Sequence, residues 1–187
     1  GATWSTFGTG LNNLVNAVAV NSSGDLVVGG SFTTAGGAPA QRMASWNGAA
    51  WSPLGTGLGG YSTAKTIVAW PGSDVFVGGT LNSAGGVPVR GIARWSGANW
   101  SALGAGFDGD IYIVLTTTSG DTIVGGTFTY AHDVHAPGIA RWSGGAWQPL
   151  GRGIPGLVQS IVELPDGSLV AGGIFASAGG VAANNIA

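Results

Sequence analysis

Four copies of one segment follow each other along this chain. The residues WSTFGTGL begin at Trp4 and return as WSPLGTGL at Trp51, WSALGAGF at Trp100 and WQPLGRGI at Trp147, so the copies are 47, 49 and 47 residues apart. A chain with such a period builds one supersecondary unit per copy, and each unit buries its faces by stacking on its neighbours. The repeat therefore constrains the fold more strongly than any other feature.

A pair of glycines keeps the same phase in every copy. It follows the first Trp by 25 residues in copies one, three and four and by 27 residues in copy two. The pairs are Gly29-Gly30, Gly78-Gly79, Gly125-Gly126 and Gly172-Gly173. Glycine fills 37 of 187 positions, which by itself would also fit a flexible linker. Because the pairs are phased, they indicate folded repeats instead.

Each copy is predicted to contain four short strands, A to D. Strand A is predicted at residues 15–20, 64–69, 111–116 and 158–163. Strand B ends in the glycine pair and is apolar at consecutive positions, which predicts burial on both faces of its sheet. Strands C and D each carry a Trp and are joined by tight turns such as Asn47-Gly48. No helical periodicity is found.

Four-stranded units of this length are typical of β-propeller blades, so the predicted fold class is all-β, a β-propeller of four-stranded antiparallel blades. Residues 1–187 form a single predicted domain. The chain end aligns with strand C and the chain start with strand D, so the N-terminal strand is expected to complete the last blade. The four blades either close into one ring or belong to a larger propeller. Closure is favoured because it removes exposed strand edges.

The glycine pair, followed by two aromatic residues flanking a hairpin as at Trp95 and Trp100, resembles the kelch motif. The segments GDLVVGGSFTTAGG and IARWSGANWSALGAGF are most similar to the repeats of the Rax2-type cortical-marker family and its secreted bacterial relatives. The likeness covers the full length, although the first aromatic of kelch is usually Tyr and its hairpin is longer. This resemblance implies a binding or scaffolding propeller and no particular ligand.

Composition limits the classes of partner. Charged residues make up 7% of the chain and the net charge is -2, so no basic surface is expected to neutralise the phosphates of a nucleic acid. The absence of cysteine excludes disulfides, thiolate metal sites and cysteine nucleophiles. No apolar run reaches the roughly 20 residues that span a bilayer. Low charge together with no cysteine favours an extracellular or cell-surface protein, of bacterial origin.

One position of the repeat carries a different polar or amphipathic residue in each copy, although its distance from the glycine pair is constant. Thirteen residues before the first glycine of each pair stand Asn16, Lys65, Tyr112 and Gln159. By analogy with other propellers, strand A lines the axis, so these residues would surround one mouth of the channel, where propellers commonly bind ligands. They are the predicted ligand-binding residues, and the alternative is that they are merely exposed at the start of a strand.

The segment YAHDVH at residues 130–135 replaces the Ala-Gly-Gly of the other copies and contains both histidines of the chain. Its His132, Asp133 and His135 could ligate zinc or nickel, because imidazole and carboxylate groups suit these ions. The alternative is an ordinary solvated loop. No cofactor is predicted from any other pattern.

The other carboxylates give no sign of catalysis. Asp25, Asp74 and Asp121 recur at the turn between strands A and B and are interpreted as turn formers. No two carboxylates take equivalent positions on neighbouring strands, as glycoside hydrolysis would need. The sequence therefore predicts no enzyme.

The tryptophans that end strand C leave two functions open. Trp46, Trp95 and Trp142 could stack on sugar rings, although packing between blades accounts for them better. The predicted function is a non-enzymatic extracellular propeller that acts as a binding or structural scaffold, and the alternative is a carbohydrate-binding, lectin-like propeller. The partner would be a protein or a glycan, with self-association if one chain does not close the ring.

Overall fold

The computed structural model describes residues 3–70 and 74–187. Unit one contains β1 (Val15–Val20), β2 (Leu26–Gly30), β3 (Thr34–Ala35), β4 (Ala38–Pro39), β5 (Met43–Trp46) and β6 (Trp51–Pro53). Unit two contains β7 (Thr63–Ala69), β8 (Val75–Thr80), β9 (Ser83–Ala84), β10 (Val87–Pro88), β11 (Ile92–Trp95) and β12 (Trp100–Ala102). Unit three contains β13 (Ile111–Thr116), β14 (Thr122–Gly126), β15 (Tyr130–Ala131), β16 (Val134–His135), β17 (Ile139–Ser143) and β18 (Ala146–Pro149). Unit four contains β19 (Gly156–Glu163), β20 (Leu169–Phe175), β21 (Ser177–Ala178) and β22 (Val181–Ala182).

Each of the first three units forms one antiparallel four-stranded sheet, or blade. The strand orders are β1-β2-β5-β6, β7-β8-β11-β12 and β13-β14-β17-β18. In the fourth blade β19 pairs with β20, and Ile186 lies beside Gly172 where the third strand begins. The prediction of an all-β propeller of antiparallel blades is confirmed. Neither described stretch contains a helix long and apolar enough to cross a membrane.

The first strands of consecutive blades lie side by side and form the inner edge of the assembly. The short hairpins β3-β4, β9-β10, β15-β16 and β21-β22 lie between the second and third strands of each unit, and the sequence did not predict them. In the first three units an isolated bridge joins such a hairpin to the segment that precedes strand A, as Leu58 joins Ala84.

In the first three blades the first glycine of the pair lets the next blade approach. A Cβ on Gly29 would lie 2.7 Å from Ala64 Cβ, and one on Gly78 would lie 2.6 Å from Ile111 Cγ2. Real carbon atoms in contact are about 3.5 to 4.0 Å apart, so no side chain fits between the sheets at these points. The phase of the repeat thus follows from the distance at which blades stack.

The second glycine of each pair allows a close backbone contact within its own blade. A Cβ on Gly30 would lie 2.0 Å from the carbonyl oxygen of Leu14, and one on Gly79 would lie 2.0 Å from that of Thr63. This close approach occurs where the first strand bulges, and glycine is the residue that lets two backbones come so near. The two glycines of a pair therefore have different tasks.

Paired tryptophans join blades two and three to the blade that precedes each of them. In the second blade the rings of Trp95 and Trp100 are 5.3 Å apart, and Trp100 Nε1 donates a hydrogen bond of 2.9 Å to the carbonyl oxygen of Leu54 in the first unit. Trp147 donates in the same way to Leu103, at 3.3 Å. The second Trp of each hairpin is thus a packing residue that also satisfies its indole N–H.

The four blades form an open arc. Val18, Ile67, Val114 and Ile161 occupy the same register position in successive blades, yet Val18 is 60% exposed while the other three are 4% to 8% exposed. At the other end, a Cβ on Gly172 would meet only Ser160 and Asn185 of its own unit within 4 Å. Both outward faces are uncovered, which corrects the preference for closure within these four blades.

The N-terminal segment packs on the first blade. Trp51 Nε1 donates a hydrogen bond of 2.9 Å to the carbonyl oxygen of Phe7, whose ring lies 5.9 Å from that of Trp46. Trp4, which the alignment places in the last strand of the fourth blade, is fully exposed. The first two residues lie outside the described part. No strand pairing joins the described N-terminal residues to the fourth blade, and completion of that blade by the N-terminal strand stays a prediction.

Candidate functional site

The four variable polar residues occupy one repeated backbone feature. The pairing of the first two strands of each blade shifts register at a single residue, and that residue is Asn16, Lys65, Tyr112 or Gln159. A bulge leaves the extra residue outside the ladder and redirects its side chain. We call this end of the blades the bulge end. The opposite end, where the first strand turns into the second, we call the turn end.

The bulge end holds a polar cluster between blades two and three. Lys65 Nζ lies 2.8 Å from Asp110 Oδ2, and Thr80 Oγ1 donates to the same oxygen, also at 2.8 Å. Lys65 Nζ also lies 3.8 Å from the centre of the Tyr112 ring, within the range of a cation–π interaction. Two of the four predicted residues are thus joined through contacts between blades.

The contacts within this cluster shift the pKa values of Lys65 and Asp110. Burial lowers the pKa of Lys65, but Asp110 and Tyr112 outweigh this effect, so the pKa lies above its ordinary value. Burial raises the pKa of Asp110, but the hydrogen bonds from Lys65 and Thr80 and the lysine charge outweigh it, so this pKa lies below its ordinary value. Both groups are charged at neutral pH, and each side chain is about one quarter to one third exposed.

The other two predicted residues stand apart from this cluster. Asn16 Nδ2 donates a hydrogen bond of 3.2 Å to the carbonyl oxygen of Ala64 in the next blade. Gln159 is exposed on the fourth blade. The structure therefore places all four residues at equivalent positions but brings only Lys65 and Tyr112 together.

A cavity of about 500 Å³ opens beside the cluster, between blades two and three. Its lining includes Thr80, Asn82, Arg90, Asp108 and Asp110, with apolar contributions from Pro88 and Phe107. A cleft of this size with a few converging polar groups is typical of ligand sites in proteins. The cavity includes Thr80 and Asp110, so it continues directly into the polar cluster.

The carboxylates of this cavity are already engaged. Asp108 Oδ1 accepts hydrogen bonds of 2.8 Å from the backbone N–H groups of Thr129 and Tyr130, and Asp110 is held by Lys65 and Thr80. The side chain of Arg90, in contrast, is exposed and makes no hydrogen bond or ion pair with the described residues, whereas its backbone carbonyl oxygen accepts a hydrogen bond of 3.1 Å from Phe107 N–H. The guanidinium of Arg90 is the charged group of the cavity that is available to a ligand.

The sequence did not single out the residues that make this cavity. Asp108 and Asp110 belong to no repeated motif, and the other units carry no arginine at the position of Arg90. One usable signal was that Asp110 stands two residues before Tyr112, at the position where the other units carry Leu14, Thr63 and Leu157.

The three residues proposed as metal ligands do not converge. His132 Nε2 lies 3.5 Å from Asp133 Oδ1, while the His135 ring packs edge-on against Tyr130. His132 has a φ of 59°, in the left-handed region, because it replaces the first glycine of the outer hairpin. In the described part of the chain no group of three His, Asp or Glu side chains is placed to hold a metal ion.

The turn end carries ion pairs that the sequence did not predict. Arg94 donates through Nε to Asp74 Oδ2 at 2.7 Å and through Nη2 to the same oxygen. Arg141 Nη1 lies 3.8 Å from Asp121 Oδ2. Two of the aspartates interpreted only as turn formers therefore also anchor an arginine from the third strand.

Comparisons with known proteins agree with the fold. The sequence model of a family described as a domain of unknown function (DUF5122) β-propeller matches residues 164–187. No curated protein matches the chain. A solved structure described as YCF48 bound to D1 peptide is similar over 84% of this chain, with 18% identity and a TM-score of 0.51, and this chain covers 46% of it. The chain thus spans less than half of that protein, and at this identity the likeness shows the fold alone.

Proposed function

We propose that this chain is a non-enzymatic binding module that holds an extended segment of a protein partner at the bulge end, between blades two and three. The observation that carries the proposal is the exposed, unpaired Arg90 on a cavity of about 500 Å³ that joins the Lys65–Asp110 pair. A peptide offers carbonyl and carboxylate groups to such a guanidinium and apolar groups to Phe107. The similar propeller YCF48, whose structure is described with a bound D1 peptide, supports this choice of ligand.

The engaged carboxylates of the cavity support a non-catalytic role. General acid–base catalysis needs a group that is free to exchange a proton with the substrate. The carboxylates in the cavity are committed to backbone N–H groups or to Lys65, and the histidines lie in a different loop. A binding role uses the cavity without requiring these groups to move.

The finer assignments rest on the sequence. The likeness of the repeats to the kelch motif and to the Rax2-type family is part of this proposal, and it depends on the phased glycine pairs and the paired tryptophans. An extracellular or cell-surface location in bacteria is proposed from the 7% content of charged residues and the absence of cysteine.

A lectin-like propeller is the alternative, and it has less support. Trp46, Trp95 and Trp142 are half-buried, and each packs against the second Trp of its own hairpin at 5.0 to 5.4 Å. The residues at the bulge positions also differ from blade to blade, whereas a multivalent lectin would repeat one pocket. A glycan array with a specific binder would restore this alternative.

The peptide proposal is tested by selecting binders from a random peptide library on the immobilised chain. Affinities of the selected peptides are then measured by fluorescence anisotropy for Arg90→Ala and for Arg152→Ala. Arg152 is a matched control because it is an exposed arginine without an ion pair that lines the corresponding cavity between blades three and four. We expect Arg90→Ala to lower the affinity by about tenfold or more, the value of one charge-assisted hydrogen bond. Equal effects of the two substitutions would refute the proposed site.

The exposed end faces offer a second kind of partner. The face with Val18 and the face with Gly172 are the two halves of the contact that joins blades inside the chain. A second copy of this chain presents both halves, so we propose self-association through them. Sedimentation velocity tests this: the parent is expected to associate as its concentration rises and Val18→Asp is not, whereas a parent that stays monomeric would remove the second copy as a partner.

A further inference from the structure

The turn end of the first blade lacks an arginine that the next two blades possess. In blades two and three the third strand carries Arg94 opposite Phe76 and Arg141 opposite Ile123. The same register position in blade one, opposite Val27, is Ser45. The hydroxyl of serine is too short to replace a guanidinium, so the partner of the turn aspartate is absent from this blade.

The turn aspartate is nevertheless present in blade one. Asp25 precedes β2 as Asp74 precedes β8, and the carboxylate of Asp74 is closely paired with Arg94. Asp25 has no ion pair with the described residues, and its side chain accepts only a long hydrogen bond of 3.3 Å from Asn21 Nδ2. A half-buried carboxylate with so little compensation is a strong acceptor for a cation.

A cavity of about 310 Å³ lies in blade one at the position that the arginine side chain fills in blade two. Blade one contributes Asn21, Ser23, Asp25, Ser45 and Ser52 to its lining, and blade two contributes Val75 and Trp95. The two residues whose counterparts form the ion pair of blade two, Ser45 and Asp25, thus face one space. The wall from blade one is polar, and the wall from blade two includes an indole.

This combination suits one class of ligand. A guanidinium is planar, donates several hydrogen bonds in one plane and stacks on aromatic rings, so a carboxylate, hydroxyls and an indole match it on each side. A divalent cation would need more carboxylate ligands than the single one of this lining, and an anion would find no cation there. We propose that the cavity binds a guanidinium group, such as the arginine side chain of a protein ligand, in the place that Arg94 fills in blade two.

The probe for this site is Nα-acetyl-arginine amide, compared with the corresponding citrulline and lysine amides. Citrulline keeps the shape and loses the charge, while lysine keeps the charge and loses the planar donor set. Titrations of the 187-residue chain are followed by the ¹H–¹⁵N resonance of the Trp95 indole. We expect saturable shifts with the arginine compound, at least fivefold weaker binding of the lysine compound and no binding of citrulline.

Two variants locate the site. Asp25→Asn is expected to weaken binding at least tenfold, while Asp133→Asn, which removes an exposed carboxylate from the outer hairpin, leaves it unchanged. Ser45→Arg should abolish binding because the new side chain occupies the cavity. It should also raise the melting temperature, and the combined Asp25→Asn and Ser45→Arg variant should lose that rise.

The proposal is overturned by equal binding of the arginine and lysine compounds, or by arginine binding that persists in both Asp25→Asn and Ser45→Arg. It is also overturned if the parent shows no saturable shift. The melting temperature of Ser45→Arg is a separate readout, because pairing between positions 45 and 25 does not depend on any added ligand. A rise that disappears with Asp25→Asn supports the geometry, and no rise counts against it.

Discussion

Replacing the first glycine of a pair by alanine tests whether this position exists to let the next blade approach. Gly78 faces the third blade, and an added methyl would lie 2.6 Å from Ile111 Cγ2, 2.8 Å from Thr66 Cγ2 and 2.9 Å from Val114 Cγ2. Gly172 holds the same position in the fourth blade, where the nearest atom to an added methyl is Ser160 Oγ at 2.9 Å. A further blade packs on Gly78, whereas no further blade covers Gly172.

The size of the effect follows from these distances. Carbon atoms in contact are about 3.5 to 4.0 Å apart, so all three neighbours of the new methyl must move by roughly 1 Å. Overpacking of this kind costs about 1 to 3 kcal/mol, and the alanine returns about 0.4 to 1 kcal/mol by restricting the unfolded chain. We expect Gly78→Ala to lose about 1 to 2 kcal/mol of unfolding free energy. Gly172→Ala should change it by less than about 1 kcal/mol, because one rotation of Ser160 makes room.

The assay is urea denaturation of the parent and both variants, followed by tryptophan fluorescence and by circular dichroism. Repeat arrays can lose cooperativity, so coincident midpoints from the two probes are required before a free energy is derived. The protein concentration is kept where sedimentation shows a single monomeric species, because a second copy on the fourth blade would cover Gly172. Gly79→Ala serves as a further comparison. Its methyl would lie 2.0 Å from the carbonyl oxygen of Thr63, and a larger loss than for Gly78→Ala is expected.

Equal losses for Gly78→Ala and Gly172→Ala in the monomer would refute the reasoning. That result would mean that the first glycine is needed inside its own sheet and that the spacing between blades does not fix the repeat. A loss for Gly78→Ala alone would establish the contact between blades as the reason for the phased glycine.

Three further results are expected. Ile67→Ala should cost about 2 to 4 kcal/mol because this side chain is buried, while Val18→Ala, at the exposed equivalent, should cost under about 1 kcal/mol; equal losses in denaturation would contradict the open arc. Asp110→Asn should lower stability at neutral pH. Because the folded-state pKa of Asp110 is lowered, the difference from the parent should be present above about pH 5 and shrink below about pH 4, and a constant difference in urea titrations across pH would speak against the ion pair. Zinc should not raise the melting temperature, since His132 and His135 do not converge; a rise that vanishes in the double alanine variant would reinstate the metal site.

The strand positions followed from the sequence to within two residues. Strand A was expected at residues 64–69 and 158–163, and β7 and β19 begin one and two residues earlier. This accuracy has a physical cause, because the glycine pairs and the Trp hairpins are fixed by backbone contacts that recur in every blade. The short outer hairpins such as β3-β4 were missed, since strands of two residues leave no periodic pattern.

The candidate site was only partly accessible from sequence. Counting from the glycine pair identified Lys65 and Tyr112, because the bulge keeps the same phase in each blade. Arg90 and Asp110 were not identified, because they join the site only when blade three packs on blade two. The cavity beside Asp25 is likewise recognised only by comparison with the neighbouring blade, where Arg94 pairs with Asp74.

The sequence by itself determined the period, the four-stranded unit and the all-β propeller, because each of these depends on residues close in the chain and repeated in phase. Only the tertiary structure decided that the four blades form an open arc, with Val18 and Gly172 uncovered at its two ends. The alignment of the chain ends fits a closed circle equally well. Closure depends on the angle between stacked sheets, which is set by side-chain packing across blades and leaves no mark on the repeat.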